Sequence, residues 1–249
     1  DGSEVDPEAW WVALNQAIES AGGLADVSAI SIAAQQHGMV ALDEAGNIIR
    51  KALLWNDNRS ASAAKDLIQE IGADKFVKLT GSVPVASFTI TKLRWLRDNE
   101  PENAAKVAAV ALPHDWLTWR LLGFGPAGQS QFGPKLEALS TDASDASGTG
   151  YFDPSTSHYR EDIVRLALRH DQELTLPRII EPSQFGGNTV AGIPIAAGAG
   201  DNAGAALGLQ AQPGDVVVSL GTSGTAFAVS ETPTHDASGA VAGFADATG

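Results

Sequence analysis

Strand-like and helix-like segments alternate along this chain, which predicts an α/β fold. Three stretches carry that prediction. Asp6-Pro7-Glu8 opens a helix in which Trp10, Trp11, Leu14 and Ile18 recur at helical spacing. Residues 27–33 (VSAISIA) are apolar without clean alternation, the pattern of an interior strand. Val216, Val217, Val218 and Leu220 read as a second buried strand, after an Ala/Gly-rich segment with a helical pattern.

The elements follow in order. Asp6 suits the N-cap, Pro7 the first helical position and Glu8 the positive end of the helix dipole. Gly22-Gly23 ends that helix. Gln35-Gln36-His37-Gly38 stands at the end of the 27–33 strand. Residues 39–42 resume a strand, residues 43–47 (DEAGN) form a hairpin-like turn, and Ile48-Ile49 starts the return. Residues 52–55 are a short apolar run that delivers Asn56-Asp57-Asn58-Arg59. Helices are expected over 60–71, 73–79 and 89–97, with 81–87 as a loop. Residues 107–112 are strand-like. Pro113-His114-Asp115 introduces a helix that runs to Leu122 and stops at Gly123. Residues 124–140, rich in Gly, Pro, Ser and Gln, form a loop. Thr141 to Gly150 (TDASDASGTG) reads as a structural loop whose Asp142 and Asp145 sit in the chemistry of caps and turns. A short helix covers 161–168, Ile179-Ile180 leads into a Pro/Gly segment, and residues 231–249 show no finished element.

Composition narrows the function classes. The 249 residues with 44% hydrophobic content can fill a sizeable core. A formal charge of −14, from 30 acids against 16 bases, argues against nucleic acid and anionic membranes as partners, because their binders need basic patches. The absence of cysteine removes disulfides, thiolate metal sites and thiol nucleophiles. No signal peptide or membrane-length apolar run stands in the sequence, so a cytoplasmic location is the default expectation. The Asp/Asn/Gly spacing fits no EF-hand loop, and no protein metal site is expected.

The densest chemical signal lies in residues 196–225. Gly200, Asp201 and Asn202 precede the Ala/Gly-rich helix, and the following strand empties into Gly221-Thr222-Ser223-Gly224. An acid at one strand end and a glycine–hydroxyl loop at the next suit a base facing a phosphate, since amides in a tight glycine turn form an anion nest. Two plainer readings stand beside this one: Asp201 as a helix N-cap, and the glycine loop as an ordinary hairpin turn. His37 can donate and accept at once, which suits a polyol, and a backbone-bonded turn histidine is its alternative. Trp55 offers a face for sugar stacking, with core packing as the alternative. Asp57 and Arg59 form an expected ion pair, either at a cleft mouth or simply exposed. The other tryptophans, Trp10, Trp11, Trp95, Trp116 and Trp119, are assigned to helix packing.

Taken in order, DPEAWW, AAQQHGMVALDEAG, ALLWNDNRS, SFTITKLRWLRDNEP, LPHDWLTWRLLG, TDASDASGTGYFD, AGAGDNAGAALG and GDVVVSLGTSGTAFA resemble the sugar kinases of the FGGY family. The resemblance touches nearly the whole chain. It implies an actin-like, ribonuclease-H-like fold of two domains, the sugar-binding one over 1–205 and the start of a nucleotide-binding one over 206–249. It implies ATP and Mg2+ as cofactors and a ketose or polyol as substrate, D-xylulose first, with gluconate, glycerol or ribulose as alternatives. By the same resemblance Asp201 is the general base, and Asn202, Gln36 and His37 contact the sugar; Trp55 and Asp57 join the expected substrate-binding residues on the residue chemistry given above. Many family members carry Met where this chain has Gln36. Gly221, Thr222, Ser223 and Gly224 match a phosphate loop. A first strand with its own phosphate loop is expected before Asp1, and an adenosine site after Gly249. The chain is therefore expected to be part of a longer protein, and these residues alone are expected not to catalyse. A non-catalytic sugar-binding relative is the reading from another class, and a homodimer stands open among partners.

Overall fold

The computed structural model describes residues 3–169, 173–221 and 224–248. The opening helix spans Pro7–Ser20, and Asp6 caps it by accepting from the Glu8 amide at 3.1 Å. It ends as expected: Gly22 and Gly23 take φ of +95° and +86°, a left-handed backbone natural to glycine. Trp11, Leu14 and Ile18 pack one face of this helix on Ile32, Leu121, Leu122 and Ile195.

The 27–33 run is not the interior strand its apolar character predicts. Regular pairing is confined to Ala33–Ala34, parallel to Ala199–Gly200, with an isolated bridge from Ile30 to Ile195. Ile32 is buried, but Ser31 and Ala33 are exposed. An interior parallel strand needs partners on both edges and cover on both faces; among the described residues this one has a partner along one edge. The pairing has a consequence for the site. Because Ala33–Ala34 and Ala199–Gly200 run parallel, their continuations, Gln35–His37 and Asp201–Asn202, leave from the same end of the pair.

The rest of the first 180 residues follows the sequence closely. Val40–Leu42 pairs antiparallel with Ala109–Ala111, and Ala52–Leu53 with Glu4–Val5. The turn between them closes on Asp43, whose carboxylate accepts from the Ala45 and Asn47 amides at 2.9 and 2.8 Å. Helices Ala61–Ile71, Ala73–Thr80, Thr89–Asn99, Pro113–Leu121 and Glu161–Leu168 stand where periodicity puts them. Two short helices were not legible as such. Pro101–Ala104 begins on the proline that prevents the previous helix from continuing. Ala143–Ser147 replaces part of the expected loop, with Asp142 as its cap. One apolar core gathers Met39, Leu53, Phe76, Ile90, Leu93 and Ile163; another gathers Val40, Leu42, Ala111, Trp116 and Trp119.

The Val216–Leu220 strand forms a hairpin with Gly224–Ala228, Leu220 opposite Gly224. The expectation of a buried strand fails here. Val216, Val218 and Leu220 are 67%, 61% and 85% exposed. This ladder has two strands, with no third strand and no covering helix among the described residues, so neither face is closed. Residues 231–248 hold no regular element, but they fold back on the body: Ser82 Oγ donates to the Gly243 carbonyl at 3.0 Å, and the Ala245 amide donates to Ser147 Oγ at 3.0 Å. No helix among the described residues is long and apolar enough to cross a membrane.

Candidate functional site

The site is built on the parallel pair. Gln36 is buried, and its Nε2 donates to the Ser144 carbonyl at 2.7 Å. Gly200, the neighbour across the pair, lies against this side chain: a Cβ at Gly200 would sit 2.6 Å from Gln36 Nε2. Glycine is required here by close approach, with no positive φ involved. Gln36 is thus fixed from both sides through its Nε2, and its Oε1 can only accept.

His37 takes φ of 68°, a conformation uncommon for a residue with a side chain. Three contacts hold it there. Thr89 Oγ1 and Lys92 Nζ both donate to its carbonyl, at 3.1 and 3.0 Å. Its Nδ1 lies 2.6 Å from the Gly148 carbonyl. A carbonyl only accepts, so Nδ1 carries the proton and Nε2 presents a lone pair. Phe88 and Phe244 pack at a tilt against the ring, 4.8 and 5.9 Å away between centroids. Although the ring edge reaches solvent, enclosure of the rest lowers the His37 pKa to about 4, against the pull of the Gly148 carbonyl, and the imidazole is neutral at physiological pH.

Lys92 is fully buried on the helix Thr89–Asn99, which also buries Ile90, Leu93 and Leu96. Burial pushes its ammonium down to about 7, and its Nζ also donates to the Ser87 carbonyl. The sequence offers one clue that went unused: a lysine at helical spacing from Leu96, on the core-facing side of the helix.

Asp201 is the first residue of the helix Asp201–Gly208, and Gly200, not Asp201, is its N-cap. The Asp201 carboxylate is exposed and accepts from the Asn202 amide at 2.9 Å. Asn202 is exposed beside it. Trp55 is 48% exposed, which removes core packing as its reason for being there. Asp57 is buried and ion-paired as the spacing predicts, its Oδ1 accepting from the Arg59 amide at 2.9 Å and from Arg59 Nε at 3.0 Å. Burial opposes its charge, but Arg59 holds its carboxyl below the usual range. Gly221 and Gly224 are exposed at the hairpin end. Thr222 and Ser223 lie outside the described residues.

One charged cluster was missed. His114 and Asp145 are fully enclosed, and Asp115 nearly so. His114 Nδ1 is 3.3 Å from both Asp115 Oδ1 and Asp145 Oδ2, and 3.9 Å from Asp142 Oδ1. One donor atom each from His114, Asp115 and Asp145 falls within 4.8 Å of the others, a spacing that a metal ion accepts. A metal needs a neutral imidazole. Here burial opposes the charge, yet the facing carboxylates raise His114 well above its usual pKa, which disfavours the neutral ring that a metal would need. Nε2 abuts Gly198, where a Cβ would lie 2.2 Å away. The cluster thus packs against Gly198, three residues before Asp201 in the chain.

Comparison with known proteins identifies the family. Residues 1–208 match the model of the FGGY family of carbohydrate kinases, N-terminal domain. Xylulose kinase from Streptomyces coelicolor is 49% identical over all of this chain and 50% of its own length. Xylulose kinase from Streptomyces rubiginosus is 46% identical over the same shares. The crystal structure of xylulose kinase from Bifidobacterium adolescentis superposes with a TM-score of 0.93 at 45% identity, over all of this chain and 56% of that one. The chain spans about half the length of the curated relatives it matches. Its α/β fold is that of the sugar kinases, and the chain belongs to the FGGY family of carbohydrate kinases.

Proposed function

We propose that this chain forms the sugar-binding domain, over 1–205, and the first part of the nucleotide-binding domain, over 206–249, of an ATP-dependent xylulose kinase with the actin-like, ribonuclease-H-like architecture of its family. The observation that carries this reading is the parallel register of Ala33–Ala34 with Ala199–Gly200. It brings a polyol-holding pair and an exposed carboxylate to one end of one strand pair. Ligands of α/β proteins bind outside the carboxyl ends of parallel strands.

Each residue then has a chemical task. Neutral His37 accepts a sugar hydroxyl at Nε2, and Gln36 accepts another at Oε1. Asn202 contacts the sugar, Trp55 offers a stacking face, and Asp57 borders the mouth. Asp201 takes the proton from the attacking terminal hydroxyl. Phosphoryl transfer proceeds through a loose transition state, so placement of the base matters more than its strength. MgATP supplies the phosphoryl group and the charge that stabilises its transfer. Gly221 and Gly224, exposed at the hairpin end, are suited to meet its phosphates, and Thr222 and Ser223 belong to the same expected phosphate loop in sequence. Cytoplasmic placement belongs to this reading as well.

A coupled ADP-release assay on the protein as encoded in full tests it. Turnover stimulated by D-xylulose above gluconate, glycerol and ribulose is the expected result. No stimulation by any of the four sinks the kinase reading and favours a non-catalytic sugar-binding relative.

A further inference from the structure

We infer that Ser144 is a positioning residue that locks the sugar-holding pair and the base-bearing strand end into one register; the inference rests on the kinase reading above.

Ser144 is fully buried and serves both halves of the site. Its carbonyl accepts from Gln36 Nε2 at 2.7 Å. Its Oγ accepts from the Gly200 amide at 3.1 Å, one residue before Asp201. The hydroxyl is itself aimed. It donates to Asp142 Oδ2 at 2.5 Å, which turns a lone pair toward Gly200. Asp142 Oδ2 also accepts from the Ser144 amide at 2.8 Å. Four residues further on, the Gly148 carbonyl holds His37 Nδ1. The helix Ala143–Ser147 and the residue after it therefore bond to Gln36, His37 and Gly200 together. Strand pairing alone is a weak clamp here, because regular pairing covers two residues on each side. Gly200 also begins a helix, and its amide has no partner inside that helix. Without Ser144 Oγ, that buried donor is unsatisfied and the start of the Asp201 helix loses its anchor.

The test is Ser144→Ala in the protein as encoded in full, with Ser144→Thr keeping a hydroxyl. The product ratio does not depend on the fraction of folded enzyme, and exchange at Gly200 is read against core amides such as that of Leu93, which report global opening. Hydrogen exchange at the Gly200 amide should be slow in the parent and in Ser144→Thr, and fast in Ser144→Ala. The ratio of ADP released to sugar phosphate formed should rise above one in Ser144→Ala, as water replaces the misplaced hydroxyl as acceptor and ATP plus water yields ADP and inorganic phosphate. The kcat for sugar should fall about tenfold or more, a scale set by sub-ångström to ångström misplacement of reacting groups, with a smaller change in KM. An unchanged ratio overturns the inference, whether or not kcat falls, since a merely structural loss leaves coupling intact. Unchanged exchange at Gly200 overturns it independently. A parent enzyme with no sugar-stimulated turnover defeats the kinase reading instead, and the inference with it, while the exchange result still decides whether the Ser144–Gly200 bond exists.

Discussion

Gln36 and Leu220 each follow or end a run whose apolar character predicts a buried strand, yet Gln36 is 7% exposed and Leu220 is 85% exposed. Around Gln36 and His37, hydrogen bonds reach partners 52 to 111 residues away in the chain. The hairpin of Val216–Leu220 and Gly224–Ala228 is held by its own ladder. The first region is thus preorganised by tertiary contacts, and the second is local structure with open faces. A site that positions a substrate needs the first kind of support, because hydrogen-bonding groups placed before binding need no reorganisation when the ligand arrives.

The contrast breaks most sharply at Asp201. Asp201→Ala should lower turnover by about 10³-fold, within the range of a lost general base, while sugar binding by titration calorimetry stays nearly intact. Loss of binding in a folded variant would make Asp201 a ligand holder instead. Next come two substitutions in the preorganised half. Gly198→Ala places a Cβ against His114 at φ +85° and should cost about 3 kcal/mol, a fall in Tm of about 10 °C. Leu93→Ala, in the main core, should cost about 3 kcal/mol as well. A Tm within error of the parent in either case would mean that this region is looser than its contacts indicate.

Lys92→Met removes one donor from the His37 carbonyl and should raise the sugar Kd about tenfold, or 1.4 kcal/mol. The pH dependence carries matching signs. His37 binds its proton less readily in the folded state, about 4 against 6.5, so stability rises as pH increases across that window and is lost on acidification. Lys92 behaves alike, about 7 against 10.5, so stability rises again between those values. Urea midpoints measured across both windows should show the two rises, with His37→Leu flattening the first and Lys92→Met the second. The smallest effect belongs to the hairpin. Leu220→Ser should change stability by no more than about 0.5 kcal/mol, and a large loss would show that its open face is covered in solution.

What was legible in the sequence is what neighbours along the chain dictate. Asp6-Pro7-Glu8 started a helix, Gly123 stopped one, DEAGN closed a turn, and Trp116 and Trp119 packed inward. The ordered motifs marked His37, Gln36 and Asp201 as residues to watch, and the parallel register now places their strand ends together. What the sequence did not disclose rests on partners far apart in the chain. Whether an apolar run is buried depends on what covers it, so residues 27–33 and Val216–Leu220 were both misjudged. The roles of Lys92, Ser144 and His114 depend on carbonyls, amides and carboxylates that only folding brings within reach. Local spacing determines the elements and the chemically capable residues. The tertiary structure decided which polar groups are buried together, because hydrogen bonding and desolvation act over ångströms in space, whatever the separation in sequence.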